Sequence, residues 1–256
     1  MDTKVPQPFD DYEARLRRDW TDREHETWAK LYERQMECIT GLSCQAFNEG
    51  LHMLGYDPKH LPDPVAISQL IRQHSGWGLT SAQNEYLGAT EWFEHIVGRR
   101  FPVTEYIRDL KDLDFTPLPD LFHEYFGHLA LFTDQRFADI SQQFGELYLL
   151  GDERQRADIA KLWWFSIEFA FIKEDGEEKV LGAGLLSSPG ELEFARHGGK
   201  PHHPFTIERV TQAKPAAYSF HEEYFVLDSI EQMQQVIDEY AQREGLPMHQ
   251  RAVSLV

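Results

Sequence analysis

The chain has 256 residues, 41% of them apolar, with six Trp and seventeen Phe, enough to bury a sizeable core in one large domain or two small ones. Its formal net charge of −18 opposes non-specific binding to nucleic acid or to an anionic membrane. No apolar run approaches the roughly 20 residues that span a bilayer, the first residues lack a secretory hydrophobic region, and Cys38 and Cys44 read as free core thiols, so a cytoplasmic location is expected.

Taken in chain order, residues 1–19 are polar and charged and read as a mobile N-terminal lead-in, with order beginning near Trp20. Thr21-Asp22-Arg23-Glu24 has the capping-box pattern, and Trp28, Leu31, Tyr32, Cys38 and Ile39 follow at mostly helical spacing. A second helix carries Phe47, Leu51 and Leu54 on one face. A third opens at Asp63-Pro64, where aspartate caps and proline suits the first turn, with Leu70 and Ile71 toward the core. Residues 76–92 contain Gly76, Gly78 and Gly88 and read as loops and short extended pieces. Residues 92–97 look helical and residues 101–107 extended.

Thr116-Pro117-Leu118-Pro119-Asp120 is a rigid irregular approach, because proline fixes φ and removes a donor, and a helix bearing His123 and His128 follows it. From Asp152 a long helix is expected through Ala160 to Phe171, carrying Glu168 into the core. Asp175-Gly176 makes a hairpin turn. Residues 182–190 are small enough to approach a ligand closely, but they lack the Walker A lysine and the dinucleotide G-x-G-x-x-G spacing. Ser229-Ile230-Glu231-Gln232 offers a capping box for a final helix through Val236 and Tyr240. Helices with a few short strands make the expected fold class mainly α with α+β character, and no repeat or low-complexity segment divides residues 20–256.

The residues that suggest chemistry are His123, His128 and Glu168. His123-Glu124 followed by His128 misses the H-E-x-x-H zinc signature by one residue. The spacing is His-x4-His, roughly 140° around an α-helix, so the two rings are expected to reach one ion from opposite flanks of a turn that Gly127 eases. Glu168 is the only ionisable group among bulky apolar side chains from Leu162 to Ile172, and a buried carboxylate needs a cation, a metal or a proton. Two imidazoles and a carboxylate form the facial set that leaves open positions on non-haem iron(II), whereas a closed zinc site recruits thiolates or a fourth ligand. Spacing alone leaves open a pair of core histidines with an ion-paired Glu168.

At these residues the sequence resembles the pterin-dependent aromatic amino acid hydroxylases, in the compact bacterial phenylalanine 4-monooxygenase form, from about Trp20 to about Tyr240. The resemblance runs through Arg99-Arg100-Phe101-Pro102-Val103-Thr104, Tyr106-Ile107-Arg108, Pro119-Asp120 with the histidine pair, and Trp164-Phe165 with Glu168. It continues through Gly182-Ala183-Gly184, Ser187-Ser188 and Tyr224-Phe225-Val226. It implies that family's catalytic-domain fold over residues 20–256, with iron(II) held by His123, His128 and Glu168, and O2 and a tetrahydropterin as co-substrates. It also implies that Arg108 clamps the carboxylate of an aromatic amino acid, a task suited to a planar guanidinium fork. Asp120 then orients Arg108, Thr116 and Ser187 complete the substrate contacts, and Trp164 walls the ring pocket. For the pterin it points to Trp92 as a stacking platform, Glu124 as a polar contact, and Leu87, Ala160 and Trp163 as flanking surface.

The chain departs from the family pattern at Trp163, where tyrosine is usual, at Pro189, and over Lys214-Pro215-Ala216-Ala217-Tyr218 near the substrate pocket. If Ala217 lines that pocket, smaller walls admit a larger or differently placed ring. L-Phenylalanine to L-tyrosine is the expected reaction, with L-tryptophan or another ring position as the alternative. A zinc hydrolase built on the His-Glu-x3-His segment and a non-catalytic binding domain are the readings from other classes. A monomer that meets only small molecules is expected.

Overall fold

The computed structural model describes residues 9–16, 18–82, 87–113, 118–216 and 219–247. Chain order begins earlier than expected, because helix α1 (Phe9–Leu16) occupies part of the lead-in. Its Glu13 is buried and accepts from Ser68 Oγ at 2.9 Å, with Arg72 beside it at 3.3 Å. One satisfied carboxylate therefore ties α1 to the helix that carries Ser68, a contact that polar composition alone does not reveal.

Helix α2 (Asp22–Ile39) starts at the expected capping box, with the Thr21 and Glu24 side chains each bonded to the other's backbone amide, and it buries Trp28, Leu31 and Ile39. Helices α3 (Gln45–Leu54) and α4 (Pro64–Ser75) follow, the latter capped by Asp63 with Pro64 in its first turn. Strand β1 (Gly78–Ser81) pairs in parallel with β2 (Arg100–Val103) across α5 (Ala89–Val97). The helix thus begins three residues before the expected residue 92, and the extended piece is shorter than 101–107.

Helix α6 (Gln135–Leu150), capped by Asp134, was not anticipated. It precedes α7 (Glu153–Trp163), whose Asp152–Gln155 capping box is complete. The helix expected to reach Phe171 ends earlier, in a π turn (Trp164–Glu168), and β3 (Ala170–Glu174) takes up Phe171. Aromatic and β-branched residues fit that pleated, buried strand. Strand β3 turns into β4 (Glu177–Val180) through Asp175 and Gly176, both at positive φ (52° and 81°), as the expected two-residue hairpin requires.

Residues 182–190, the small residues expected to approach a ligand, contain α8 (Ala183–Ser187) and the start of α9 (Pro189–His197). Strand β5 (His202–Pro204), helix α10 (Ile207–Gln212), strand β6 (Tyr224–Leu227) and helix α11 (Ile230–Glu244) complete the order. The sheet order is β4-β3-β6-β5, with β3/β4 antiparallel and the other two pairs parallel. Ser229 caps α11, but Gln232 reaches back to the amide of Asp228 rather than that of Ser229, so only half of the expected box forms.

The core is dense in aromatic rings. Phe122 and Phe126 stack at 4.8 Å, Trp28 packs edge-on against Phe122, and Tyr32 and Phe47 do the same against Phe126. All but Tyr32 are fully buried. Burying each such ring removes on the order of 150–250 Å² from water. The packing clamps the segment that carries both histidines between α2, α3 and α8.

Candidate active site

Residues 123–128 are a π turn rather than a continuous α-helix. The amide of Leu129 donates to the Glu124 carbonyl at 3.2 Å, an i→i+5 bond, and Phe169 does the same to Trp164 at 3.1 Å in the second π turn. One extra residue per turn brings positions i and i+5 back onto one side. His123 and His128 therefore share a face instead of reaching from opposite flanks, and their Nε2 atoms lie 3.1 Å apart. Glu168 ends the second π turn, with Oε2 3.3 Å from His128 Nε2 and 3.7 Å from His123 Nε2. The three donor atoms lie within 4.8 Å of one another.

Two close backbone approaches hold these turns together. A Cβ on Gly127 would stand 2.7 Å from the Ala183 carbonyl oxygen, and one on Gly182 would overlap the Glu168 carbonyl. The small residues expected to approach a ligand approach the two π turns instead, and Gly127 serves that contact rather than easing the turn. Helix α8 also supplies Ser187, whose hydroxyl donates to the Ala183 carbonyl at 2.7 Å and lies 2.8 Å from His123 Nδ1. With its proton spent on Ala183, the hydroxyl can only accept from His123. That puts the imidazole proton on Nδ1 and leaves Nε2 as a lone-pair donor toward the cluster. Ser187, expected among the substrate contacts, is thus buried behind a histidine.

The electrostatics suit the same atoms. Burial and the neighbouring His128 push His123 down to about 4, so it is neutral near pH 7. Burial opposes the charge on Glu168, yet the two histidines outweigh it and hold the carboxyl below its ordinary value. Glu124 goes the other way: burial first, then the charges of Glu168 and Asp120, push its carboxyl well above its ordinary value. Among the described residues Glu124 Oε2 finds no hydrogen-bond partner.

A cavity of about 500 Å³ opens onto this cluster. His123, His128 and Glu168 line it, and so do Leu87, Trp92, Glu124, Ala160, Trp163 and Trp164. Every described residue assigned to the pterin, together with the ring-wall tryptophan, is therefore gathered on one surface. Trp163 packs edge-on against Phe93 at 5.5 Å and Phe144 at 5.6 Å, which fixes its indole in the wall. Arg108 and Asp120 border the cavity rather than line it, their chain neighbours Tyr106, Leu118 and Pro119 being the lining residues.

Both members of that pair are buried. Arg108 donates from Nε and Nη2 to the two Asp120 oxygens, each at 2.8 Å. Asp120 also accepts from the amides of Arg108 and His123, so the guanidinium and the first histidine are positioned by one carboxylate. Burial alone would raise the Asp120 pKa, and Arg108 more than offsets it.

Thr116 and Ala217 lie outside the described residues, as does Tyr218. Pro189 opens α9 and is not among the lining residues, whereas Pro215 of the same departing stretch is. Lys161 and Thr104 also line the cavity and were missed. Stepping back from Glu168 by helical intervals through Trp164, Lys161, Ala160 and Ala157 collects one face of α7 and its π turn. That count would have found Lys161.

The donor set fits a divalent metal that keeps open positions, and the aromatic walls with one buried carboxyl group fit a flat heterocycle. Comparison with known proteins agrees. The phenylalanine-4-hydroxylase of Vibrio cholerae is 32% identical over 219 residues, which covers 85% of this chain and 75% of that protein. The cold-active phenylalanine hydroxylase of Colwellia psychrerythraea, solved in its apo form, superposes with a TM-score of 0.83 at 29% identity, covering 91% of this chain and 93% of that one. The Chromobacterium violaceum enzyme, solved with bound iron(III) and 7,8-dihydrobiopterin, gives a TM-score of 0.81 at 29% identity over 93% of this chain and 85% of that one. The family described as biopterin-dependent aromatic amino acid hydroxylase matches residues 10–251, and the chain belongs to it.

Proposed function

We propose that this protein is a non-haem iron(II), tetrahydropterin-dependent monooxygenase that converts L-phenylalanine to L-tyrosine with O2. The observation that carries the reading is the convergence of His123, His128 and Glu168 on the wall of an aromatic-lined cavity. Iron held there supplies the redox chemistry by which a reduced pterin and O2 deliver one oxygen atom to an aromatic ring and the other to the pterin.

The protein's own groups prepare that reaction. Ser187 keeps the His123 lone pair on Nε2, and the depressed pKa of His123 keeps its ring unprotonated. Glu124 lines the same cavity, and its Oε2, without a hydrogen-bond partner among the described residues, is a polar contact for the pterin. Trp92 and Trp163 offer apolar faces for its ring system. The Arg108 Nη1 edge takes no part in the Asp120 fork and suits the substrate carboxylate. Trp164 then faces the aromatic ring, and the apolar lining keeps water from the reacting atoms.

The bacterial relatives are named for phenylalanine, which is why it is preferred to tryptophan here. Among the described residues no helix is long and apolar enough to cross a membrane. A cytoplasmic monomer belongs to this reading and is tested by fractionation and light scattering. The deciding experiment incubates the protein with iron(II), a reduced pterin, O2 and a panel of aromatic amino acids, and identifies products by mass spectrometry. Tyrosine formed from phenylalanine, only with both pterin and O2 present, is the expected result. Turnover that persists without O2 would point to a hydrolase, and no turnover of any aromatic amino acid would remove the proposal.

A further inference from the structure

Behind the wall that Trp164 presents to the cavity lies a buried polar relay that the chemistry above does not use. Trp164 Nε1 donates to His221 Nε2 at 2.8 Å, and the amide of Ala216 points to the same nitrogen at 3.4 Å. On the far side of the ring, His221 Nδ1 lies 2.8 Å from Glu191 Oε1, which also accepts from the Tyr224 hydroxyl at 2.7 Å. His221 and Tyr224 are essentially fully buried and Glu191 nearly so.

The roles of the two ring nitrogens follow from the partners. Trp164 and Ala216 can only donate, so His221 Nε2 must carry the lone pair. The ring proton is then on Nδ1, where the Glu191 carboxylate accepts it. Glu191 thus selects the tautomer, and that tautomer is the only neutral one able to hold the indole. Phe169 packs against the imidazole at 4.2 Å and against Trp164 at 5.0 Å, which limits rotation of either ring.

What the relay joins is informative. Trp164 belongs to the second π turn and Pro215 to the loop before β6, and both line the cavity. A single imidazole nitrogen binds the first directly and the second through the amide that follows it. We infer that His221, oriented by Glu191, is a positioning residue for the substrate's aromatic ring: it locks two walls of the ring subsite at a set separation and so governs which ring is accepted. The inference rests on the proposed function.

The test compares wild type with His221→Phe, which keeps a flat ring but removes the acceptor, and His221→Gln, whose amide oxygen can accept from Trp164 while its NH2 donates to Glu191. Three quantities are read for each: the Kd of phenylalanine and of tryptophan by calorimetry, the phenylalanine-to-tryptophan ratio of kcat/KM, and hydroxylated product per pterin oxidised. His221→Phe should weaken phenylalanine binding about 10-fold, shift the substrate ratio by about the same factor, and lower product per pterin, with iron content and pterin KM unchanged. His221→Gln should recover most of the loss.

A uniform fall in activity that tracks melting temperature, with ratio and coupling unchanged and no rescue by His221→Gln, would show a merely structural role and overturn the inference. Wild-type values of ratio and Kd in His221→Phe would do the same while leaving the hydroxylase reading intact. A wild-type protein that neither binds nor hydroxylates an aromatic amino acid would overturn that reading, and this inference with it.

Discussion

Ser187 shows how much one hydroxyl decides. It sits between the Ala183 carbonyl and His123 Nδ1, so Ser187→Ala leaves a buried imidazole N–H without an acceptor and frees the ring to rotate or change tautomer. Loss of such a supporting contact typically weakens metal binding about 10- to 100-fold. Chelator competition on purified protein should show that drop for iron(II), with a far-ultraviolet circular dichroism spectrum like that of wild type. An unchanged affinity would mean that the packing around His123 suffices without Ser187. Chemistry alone pointed to the cluster of His123, His128 and Glu168, since a lone carboxylate in an apolar run and two nearby histidines are conspicuous, but spacing left core histidines open and the resemblance was needed to choose. The task of Ser187 was not, because it depends on where α8 packs, and no local pattern encodes that contact. His221 and Glu191 were silent for the same reason: they lie 30 residues apart and meet only in the folded core.

At the scale of elements, the same split recurs. Caps and turns were readable because their signals lie within four residues of each other, as at Thr21–Glu24, Asp63-Pro64 and Asp175-Gly176. The π turns were not, since helical periodicity assumes 3.6 residues per turn throughout and one inserted residue changes the face without changing composition. The spacing of His123 and His128 makes sense only after that change. Their turn depends on contact with α8 at Gly127, where an added methyl would meet the Ala183 carbonyl oxygen at 2.7 Å. Gly127→Ala should therefore cost roughly 1–3 kcal/mol by overpacking and lower iron content as well, read by thermal melts and metal analysis of one preparation. Full stability with full iron would show that α8 can shift away. The start of α6 gives a pH-dependent case. Burial would raise the Asp134 pKa, but hydrogen bonds from the Arg136 side chain and amide, and the Arg136 charge, hold it below its ordinary value. A depressed carboxyl contributes stability above its unfolded pKa and loses it as the pH falls through the folded one. Asp134→Ala should thus cost about 1 kcal/mol at neutral pH, and the gap from wild type in urea melts should narrow progressively as the pH falls below about 4. A gap that stayed constant as the pH fell would assign the effect to packing instead of charge.

For the whole molecule the governing quantity is charge, read directly from composition. Forty-three acidic residues stand against 25 basic ones, and many of the basic ones are paired at the surface, as Arg136 is with Asp134 and Glu231, and Lys173 with Asp228. Two effects of salt therefore oppose each other. Screening weakens exposed pairs, each worth about 0–1 kcal/mol, and it also weakens repulsion among the excess carboxylates, which acts across the entire surface. Repulsion should dominate, because the excess of 18 negative charges repels across the whole surface, whereas an exposed pair broken by salt is replaced by counterions. Raising ionic strength from about 0.01 M to 0.15 M shortens the screening length from roughly 30 Å to 8 Å, which removes long-range repulsion while the buried Arg108–Asp120 fork is little affected. Melting temperature should rise over that range by a few degrees, since about 1 kcal/mol moves a chain of this size by roughly 2–4 °C. Sodium chloride and a neutral osmolyte at matched osmolality separate screening from solvent exclusion in differential scanning calorimetry. A melting temperature that fell with salt would mean that the surface pairs, rather than the net charge, set the electrostatic balance of this fold.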